Sequence, residues 1–93
     1  MNQYYETLPG IVLTLSCQEY YLITSKERMR ISEAGAFYWS CIQNGMSVEE
    51  MHKAVMEEFE ISDSEEAEKD LQFFVKLLLV KNLIRESRKK VDE

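Results

Sequence analysis

The sequence predicts an α+β fold in which a three-stranded antiparallel sheet is followed by three helices. Residues 11–31 hold short apolar stretches rich in strand-forming residues and separated by turn-forming ones. From residue 32 onward, serines that suit helix N-caps precede apolar residues spaced three and four apart. At 93 residues and 45% hydrophobic, the chain can bury one core, so we expect a single domain over residues 1–84 and a charged, frayed tail over 85–93.

The three predicted strands follow one another closely. Apolar residues alternate over residues 11–15, and residues 20–24 are rich in side chains that suit a pleated surface. A tight turn over residues 16–19 joins these two strands, and a second turn at Ser25 and Lys26 leads to a short third strand over residues 27–31. A meander of this size needs helices to cover one face.

The third predicted strand runs straight into a helix cap at Ser32, which favours a position at the edge of the sheet. Alternation places Met29 and Ile31 on one face and Arg28 and Arg30 on the other. An edge strand exposes unpaired backbone N–H and C=O groups. Such an edge is a natural place for a peptide to bind as an added strand.

The helices have recognisable ends. Ser32 is predicted to cap a first helix that ends at Asn44 and Gly45. Ser47 and Glu50 match a capping box that opens a second helix, which runs to about residue 59.

The third and longest helix is predicted to begin with a second capping box, over residues 62–65, and to run to Lys81. Asn82 suits the left-handed position just past its end, and Leu83 and Ile84 are expected to return to the core.

The third helix carries two apolar stripes when its residues are placed at about 100° per residue. The expected core stripe consists of Leu71, Phe74, Val75, Leu78 and Leu79, and a second stripe on nearly the opposite side consists of Phe73, Leu77 and Val80. The domain either wraps the helix and buries both stripes, or the second stripe lines a groove or an interface.

Composition excludes several function classes. A net charge of −6 disfavours general binding to nucleic acid. No segment is apolar enough to span a membrane or to serve as a signal peptide, so we expect a cytosolic protein.

His52 is the one histidine of the sequence and is expected at the surface or its boundary. Neither a nucleophile relay nor a metal site is therefore predicted, and no cofactor is expected. Cys17, near a turn, and Cys41, buried on a helix, are predicted to be reduced thiols.

The predicted order of elements is winged-helix-like, and its residues resemble those of the PqqD family (pyrroloquinoline quinone biosynthesis protein D), also described as the RiPP precursor peptide recognition element. The resemblance covers residues 9–84. It is carried by EYYLI over residues 19–23, ERMRISEAGA over 27–36, GMSVEEM over 45–51 and DL at 70–71, together with Trp39, Phe74, Leu78, Leu83 and Ile84.

The resemblance implies a non-catalytic peptide chaperone. Such a protein binds the leader segment of a ribosomally made precursor and delivers it to a modifying enzyme, often a radical SAM protein. In the family the leader adds as a strand in the cleft between the third strand and the last helix. Carried onto this sequence, the peptide-binding residues are Glu27, Arg28, Met29, Arg30, Ile31, Lys69, Gln72, Phe73, Lys76, Leu77 and Val80.

Two departures from the family pattern lie in and after the last helix. Phe73, Leu77 and Val80 stand where the family has small or polar residues, which indicates a more apolar groove or a contact with the enzyme or a second copy. Asn82 replaces a glycine and tolerates the same left-handed backbone. A winged-helix transcriptional regulator and a small homodimeric scaffold stay as alternative functions. The acidic second helix disfavours DNA contact.

Overall fold

The computed structural model describes residues 3–87, which form an α+β fold as predicted. The strands are β1 (Tyr4–Thr7), β2 (Val12–Ser16), β3 (Glu19–Ile23), β4 (Arg28–Ile31) and β5 (Ile84–Ser87), and the helices are α1 (Glu33–Gln43), α2 (Val48–Glu58) and α3 (Ser64–Val80). A three-stranded antiparallel sheet has the order β2-β3-β4, and a separate two-stranded sheet pairs β1 with β5. The winged-helix label describes this arrangement only loosely.

A two-residue turn joins β2 to β3, where the sequence predicts a tight turn. Ser16 pairs with Glu19, and the residues between them, Cys17 and Gln18, have φ values of 52° and 66°. Positive φ at both central residues is the feature of a type I′ turn, whose twist matches that of the strands. Cys17 is exposed at this turn and Cys41 is buried on α1, as predicted, and both are free thiols.

The two-stranded sheet joins the two ends of the described chain and is not predicted from the sequence. β1 pairs with β5 in antiparallel register from Tyr4 opposite Ser87 to Thr7 opposite Ile84. An ion pair between Arg85 and Glu6 lies on this sheet. Residues 85–87 therefore differ from the expectation of a frayed tail, and residues 88–93 of that predicted tail lie outside the described residues.

The predicted N-caps of α1 and α2 are confirmed, and that of α3 is shifted. Ser32 Oγ accepts a hydrogen bond from the Gly35 amide at 3.0 Å, and Ser47 forms the complete capping box with Glu50. The predicted capping box over residues 62–65 is wrong, because Asp63 caps α3 and accepts a hydrogen bond from the Glu66 amide at 3.1 Å. Asp is as good an N-cap as Ser, and its carboxylate also favours the positive end of the helix dipole.

All three helices end in the same hydrogen-bonded motif. The residue just past each C-cap has positive φ: Gly45 at 79°, Glu60 at 54° and Asn82 at 62°. The amides that follow bond back to carbonyls of the last turn, as in Met46 N–H to Cys41 O at 3.1 Å and Leu83 N–H to Leu78 O at 2.9 Å. These are Schellman motifs, which satisfy carbonyls that a helix end leaves unpaired. Leu83 and Ile84 are buried, as predicted.

The core lies between the inner face of the three-stranded sheet and the three helices. Its largest fully buried side chain is that of Trp39 on α1. The Trp39 indole N–H has no hydrogen-bond partner among the described residues. Leaving it unpaired costs about 1–3 kcal/mol, which is less than the roughly 4–6 kcal/mol expected from burying a ring of that area. On α3 the predicted core stripe is buried except Leu79, which is 38% exposed.

Tyr38 on α1 packs between the core and α3. Its ring lies 5.8 Å from that of Phe74, centroid to centroid, and its side chain is only 3% exposed. Burial raises the pKa of Tyr38 to about 12, and the nearby Asp70 and Cys41 contribute in the same direction. The hydroxyl group therefore keeps its proton over the whole physiological range.

Replacing Glu60 by glycine is expected to stabilise the fold by roughly 0.5–1 kcal/mol, because glycine adopts positive φ without a Cβ clash. The matched control is Glu57→Gly in the last turn of α2. This substitution is expected to lower the free energy of unfolding by about 1 kcal/mol, because glycine has a low helix propensity. Urea denaturation measures both changes. A loss of stability in Glu60→Gly would contradict the assignment of the motif.

The free energy of unfolding is expected to fall as the pH rises from the ordinary tyrosine pKa of 10.0 to about 12. Between these values the folded chain retains a proton on Tyr38 that the unfolded chain has released, so the loss is roughly 2–3 kcal/mol. Denaturant titrations at several alkaline pH values should show a smaller fall in Tyr38→Phe. An equal fall in both proteins would show that Tyr38 does not cause it.

Candidate peptide-binding groove

β4 is an edge of the three-stranded sheet, as expected. It pairs with β3 in antiparallel register, from Tyr20 opposite Ile31 to Ile23 opposite Arg28. Among residues 3–87, β3 is its only partner strand, and no other backbone hydrogen bond reaches residues 28–31. The opposite side of β4 therefore offers backbone donors and acceptors to an added strand.

A cavity of about 400 Å³ lies beside this edge, between β4, the start of α1 and α3. Its lining is mainly apolar, with one cation and one carboxylate. The lining residues are Arg30, Ile31, Ser32, Ala34, Gly35, Tyr38, Asp70, Phe73, Phe74 and Leu77. We call this cavity, together with the open edge of β4, the groove.

Gly35 sets the depth of the groove because α1 and α3 approach closely there. A Cβ atom at this position would lie 3.0 Å from Phe74 Cε1 and 3.4 Å from the Cβ of Ile31. The first distance is shorter than an ordinary van der Waals contact. Glycine therefore allows the Phe74 ring to lie against α1 rather than in the cavity.

The two arginines of β4 lie beside the groove and already have partners on β3. Arg30 pairs with Glu19 at 3.1 Å, and the Arg28 guanidinium lies 4.7 Å from the ring centroid of Tyr21. Exposed ion pairs of this kind contribute about 0–1 kcal/mol, so a carboxylate on a bound peptide could replace Glu19 at little cost.

Lys81 and Glu27, 3.3 Å apart, connect the end of α3 to the start of β4. This ion pair marks one end of the groove.

The predicted site residues fall into three groups in space. Arg30, Ile31, Phe73 and Leu77 line the groove. Glu27, Arg28 and Met29 belong to β4 or precede it, with Met29 packed against the core. Lys69, Gln72 and Lys76 line other cavities, and Val80 is 73% exposed and does not line the groove.

Phe73 links the groove to a neighbouring cavity on the other side of α3. It is 72% exposed and also lines a cavity of about 380 Å³ with Gln72, Lys76, Leu79 and Tyr5. Contrary to the alternative in which both stripes of α3 are buried, Phe73 and Val80 are exposed. The second stripe therefore divides, since Phe73 and Leu77 face the groove and Val80 faces solvent.

Sequence reasoning missed the α1 wall of the groove and the presence of Asp70 in its lining. A glycine inside an otherwise regular helical pattern often marks a close approach, so Gly35 carried a usable signal. Asp70 belongs to the DL pair that carries the family resemblance, but nothing in the sequence placed it in the groove, since only the packing of α1 against α3 brings it near Tyr38.

No other chemistry converges on the groove. Residues 3–87 contain no group of three or more His, Cys, Asp or Glu placed to hold a metal ion. His52 is half-buried, as predicted, and its Nε2 lies 2.9 Å from the carbonyl oxygen of Ser64 and 3.4 Å from its hydroxyl, where α2 meets the start of α3. Within the described part of the chain, no helix is long and apolar enough to cross a membrane.

Comparison with known families gives a match that covers most of the chain. The family model described as coenzyme PQQ synthesis protein D (PqqD) matches residues 20–84. The match runs from β3 to the first residue of β5 and so includes both walls of the groove, although it begins later than the resemblance expected from residue 9. No curated protein and no solved structure gives a match. Because the family model spans well over half of the 93 residues, the chain belongs to the PqqD family.

Proposed function

We propose that this protein is a cytoplasmic, non-catalytic peptide chaperone that binds the leader segment of a ribosomally synthesised precursor and presents it to a modifying enzyme such as a radical SAM protein. Membership of the PqqD family supports an accessory role in coenzyme PQQ or RiPP biosynthesis. In PQQ biosynthesis the family interacts with a peptide and a modifying enzyme, and it is a non-catalytic accessory family.

The observation that carries the proposal is the open edge of β4 next to an apolar cavity. A peptide that adds to β4 forms backbone hydrogen bonds, each contributing about 0.5–1.5 kcal/mol net. These bonds are independent of the peptide sequence. The side-chain sites next to the edge must therefore supply the selectivity.

The two faces of an added strand would meet different surfaces. Side chains on the inner face enter the cavity, whose volume of about 400 Å³ suits a large aliphatic or aromatic group. Side chains on the outer face meet Arg28 and Arg30, which are exposed. The groove therefore favours a leader segment in which large apolar residues alternate with acidic ones.

The alternative functions receive less support. A DNA-binding winged helix needs basic or amide side chains on its recognition helix, whereas α2 carries Glu49, Glu50, Glu57 and Glu58 with Lys53 as its one Lys or Arg. A homodimeric scaffold that uses the second stripe of α3 would bury Phe73 and Leu77, which line the groove. Such a contact would exclude the peptide.

Leu77→Glu is expected to weaken leader binding at least tenfold, because it places a carboxylate in an apolar part of the groove. The matched control is Gln72→Glu, on the same helix but outside the groove lining, which should change the affinity by less than about twofold. The measurement is an NMR titration of labelled protein with a synthetic leader of a precursor encoded beside this gene.

Amide shifts in that titration should concentrate in residues 27–31 and on the groove side of α3. Shifts confined to α2, or equal affinities for Leu77→Glu and the unmodified protein, would contradict the proposed site. No binding at high micromolar peptide would exclude that leader as the ligand.

Gly35→Ala is expected to weaken binding while leaving stability nearly unchanged. The new methyl group pushes the Phe74 ring toward the cavity, and the higher helix propensity of alanine, about 1 kcal/mol, offsets the strain. Ser40→Ala, on the same helix and away from the groove, is the control. Unchanged affinity in Gly35→Ala, measured by the same titration, would show that Phe74 does not limit the depth of the groove.

A further inference from the structure

We propose that β2, the other edge of the three-stranded sheet, pairs with β2 of a second copy of this protein. The two copies would form one continuous six-stranded antiparallel sheet, with a β4 edge and a groove at each end. This inference goes beyond the proposed function and does not depend on it.

The β2 edge lacks the features that usually prevent edge strands from pairing. Its sequence is Val-Leu-Thr-Leu-Ser, and no Asp, Glu, Lys or Arg occurs anywhere from Thr7 through Gln18. Its register with β3 is continuous over five residue pairs, so it contains no bulge. Natural proteins protect exposed edges with charges, bulges or prolines inside the strand, and β2 has none of these.

The outer side of β2 is also open. Within residues 3–87, β3 is its only partner strand, and no other backbone hydrogen bond reaches residues 12–16. Val12 and Leu15 are 58% and 59% exposed. They lie on opposite faces of the sheet, so both faces of this edge carry apolar surface that a neighbouring strand would cover.

Self-pairing of β2 has a register in which each of its five residues lies opposite an uncharged residue of the same face of the sheet. A two-fold axis perpendicular to the sheet keeps the inner faces of both copies on the same side, so residues of like parity must lie opposite each other. Centred on Thr14, this register places Leu13 opposite Leu15 of the second copy, twice. It also places Val12 opposite Ser16, and Thr14 opposite itself.

The same symmetry disfavours self-pairing at β4, which argues for a division of roles between the two edges. Registers of like parity centred on Arg28, Met29 or Arg30 each bring two arginines of the two copies opposite each other. The register centred on Ile31 avoids this, but it pairs only the last residue of β4 with the strand of the other copy. Like charges directly opposite each other destabilise a strand pair. β2 brings no charged residues together, so a second copy is the occupant that fits it.

The dimer is expected to be weak and to strengthen with salt. One pair of five-residue strands buries less than the roughly 1,200–2,000 Å² of a stable interface. Each copy also carries a net charge of −6, whose mutual repulsion salt screens.

Sedimentation equilibrium of the full chain from about 10 µM to about 1 mM, at low and high salt, tests the inference. The expected result is a concentration-dependent dimer, with association at least tenfold weaker in Leu15→Lys. Val80→Lys, which introduces the same charge at an exposed position on α3, should leave the dimer unchanged. Amide shifts of the unmodified protein on dilution should fall in residues 12–16, which gives a readout that needs no variant.

A monomer at every concentration at high salt would overturn the inference, as would a dimer that Val80→Lys disrupts and Leu15→Lys does not. Leader binding distinguishes a failure of this inference from a failure of the proposed function. Leu15→Lys should bind the synthetic leader with unchanged affinity, and Leu77→Glu should dimerise normally. Failure of one proposal therefore leaves the other standing.

Discussion

The close contact between Phe74 of α3 and Gly35 of α1 brings these two helices together beside β4, and the groove lies where the three elements meet. The Phe74 ring lies against Gly35 and packs on Tyr38, while the same region of α1 meets Ile31 at the end of β4. A larger residue at position 35 would force the ring outward into the cavity. The free volume beside the β4 edge therefore depends on the missing Cβ atom at position 35.

The two edges of the three-stranded sheet differ mainly in charge. β4 carries Arg28 and Arg30, and β2 carries no charged side chain. Arginines on an edge oppose pairing with an identical strand and leave pairing with an acidic peptide favourable. The two proposed events, addition of a peptide at β4 and self-pairing at β2, therefore use opposite edges of the sheet and do not compete for surface.

Local signals in the sequence predicted most of the fold, and long-range contacts account for what they missed. Some features depend on only a few neighbouring residues, so the local sequence was sufficient to predict them. These are the turn after Ser16, the capping box at Ser47 and the left-handed backbone of Asn82. The pairing of β1 with β5 joins residues from opposite ends of the chain, and neither four-residue strand has a distinctive pattern of its own. At the α3 N-terminus several cap residues were available in a row, and Asp63 was favoured over Ser62.

The β1–β5 sheet helps to hold α3, one wall of the groove, in place without a bound peptide. The Schellman motif at Asn82 turns the chain directly from α3 into β5, and pairing with β1 holds that strand in place. At the other end of α3 the Asp63 cap fixes the first turn. Because α3 is fixed at both ends, it would lose little conformational freedom when a peptide binds. The conformational entropy lost on binding would then be mainly that of the peptide. In the proposed mode of binding, affinity then depends on the backbone pairing at β4, and selectivity on Phe73, Leu77 and the two arginines of that strand.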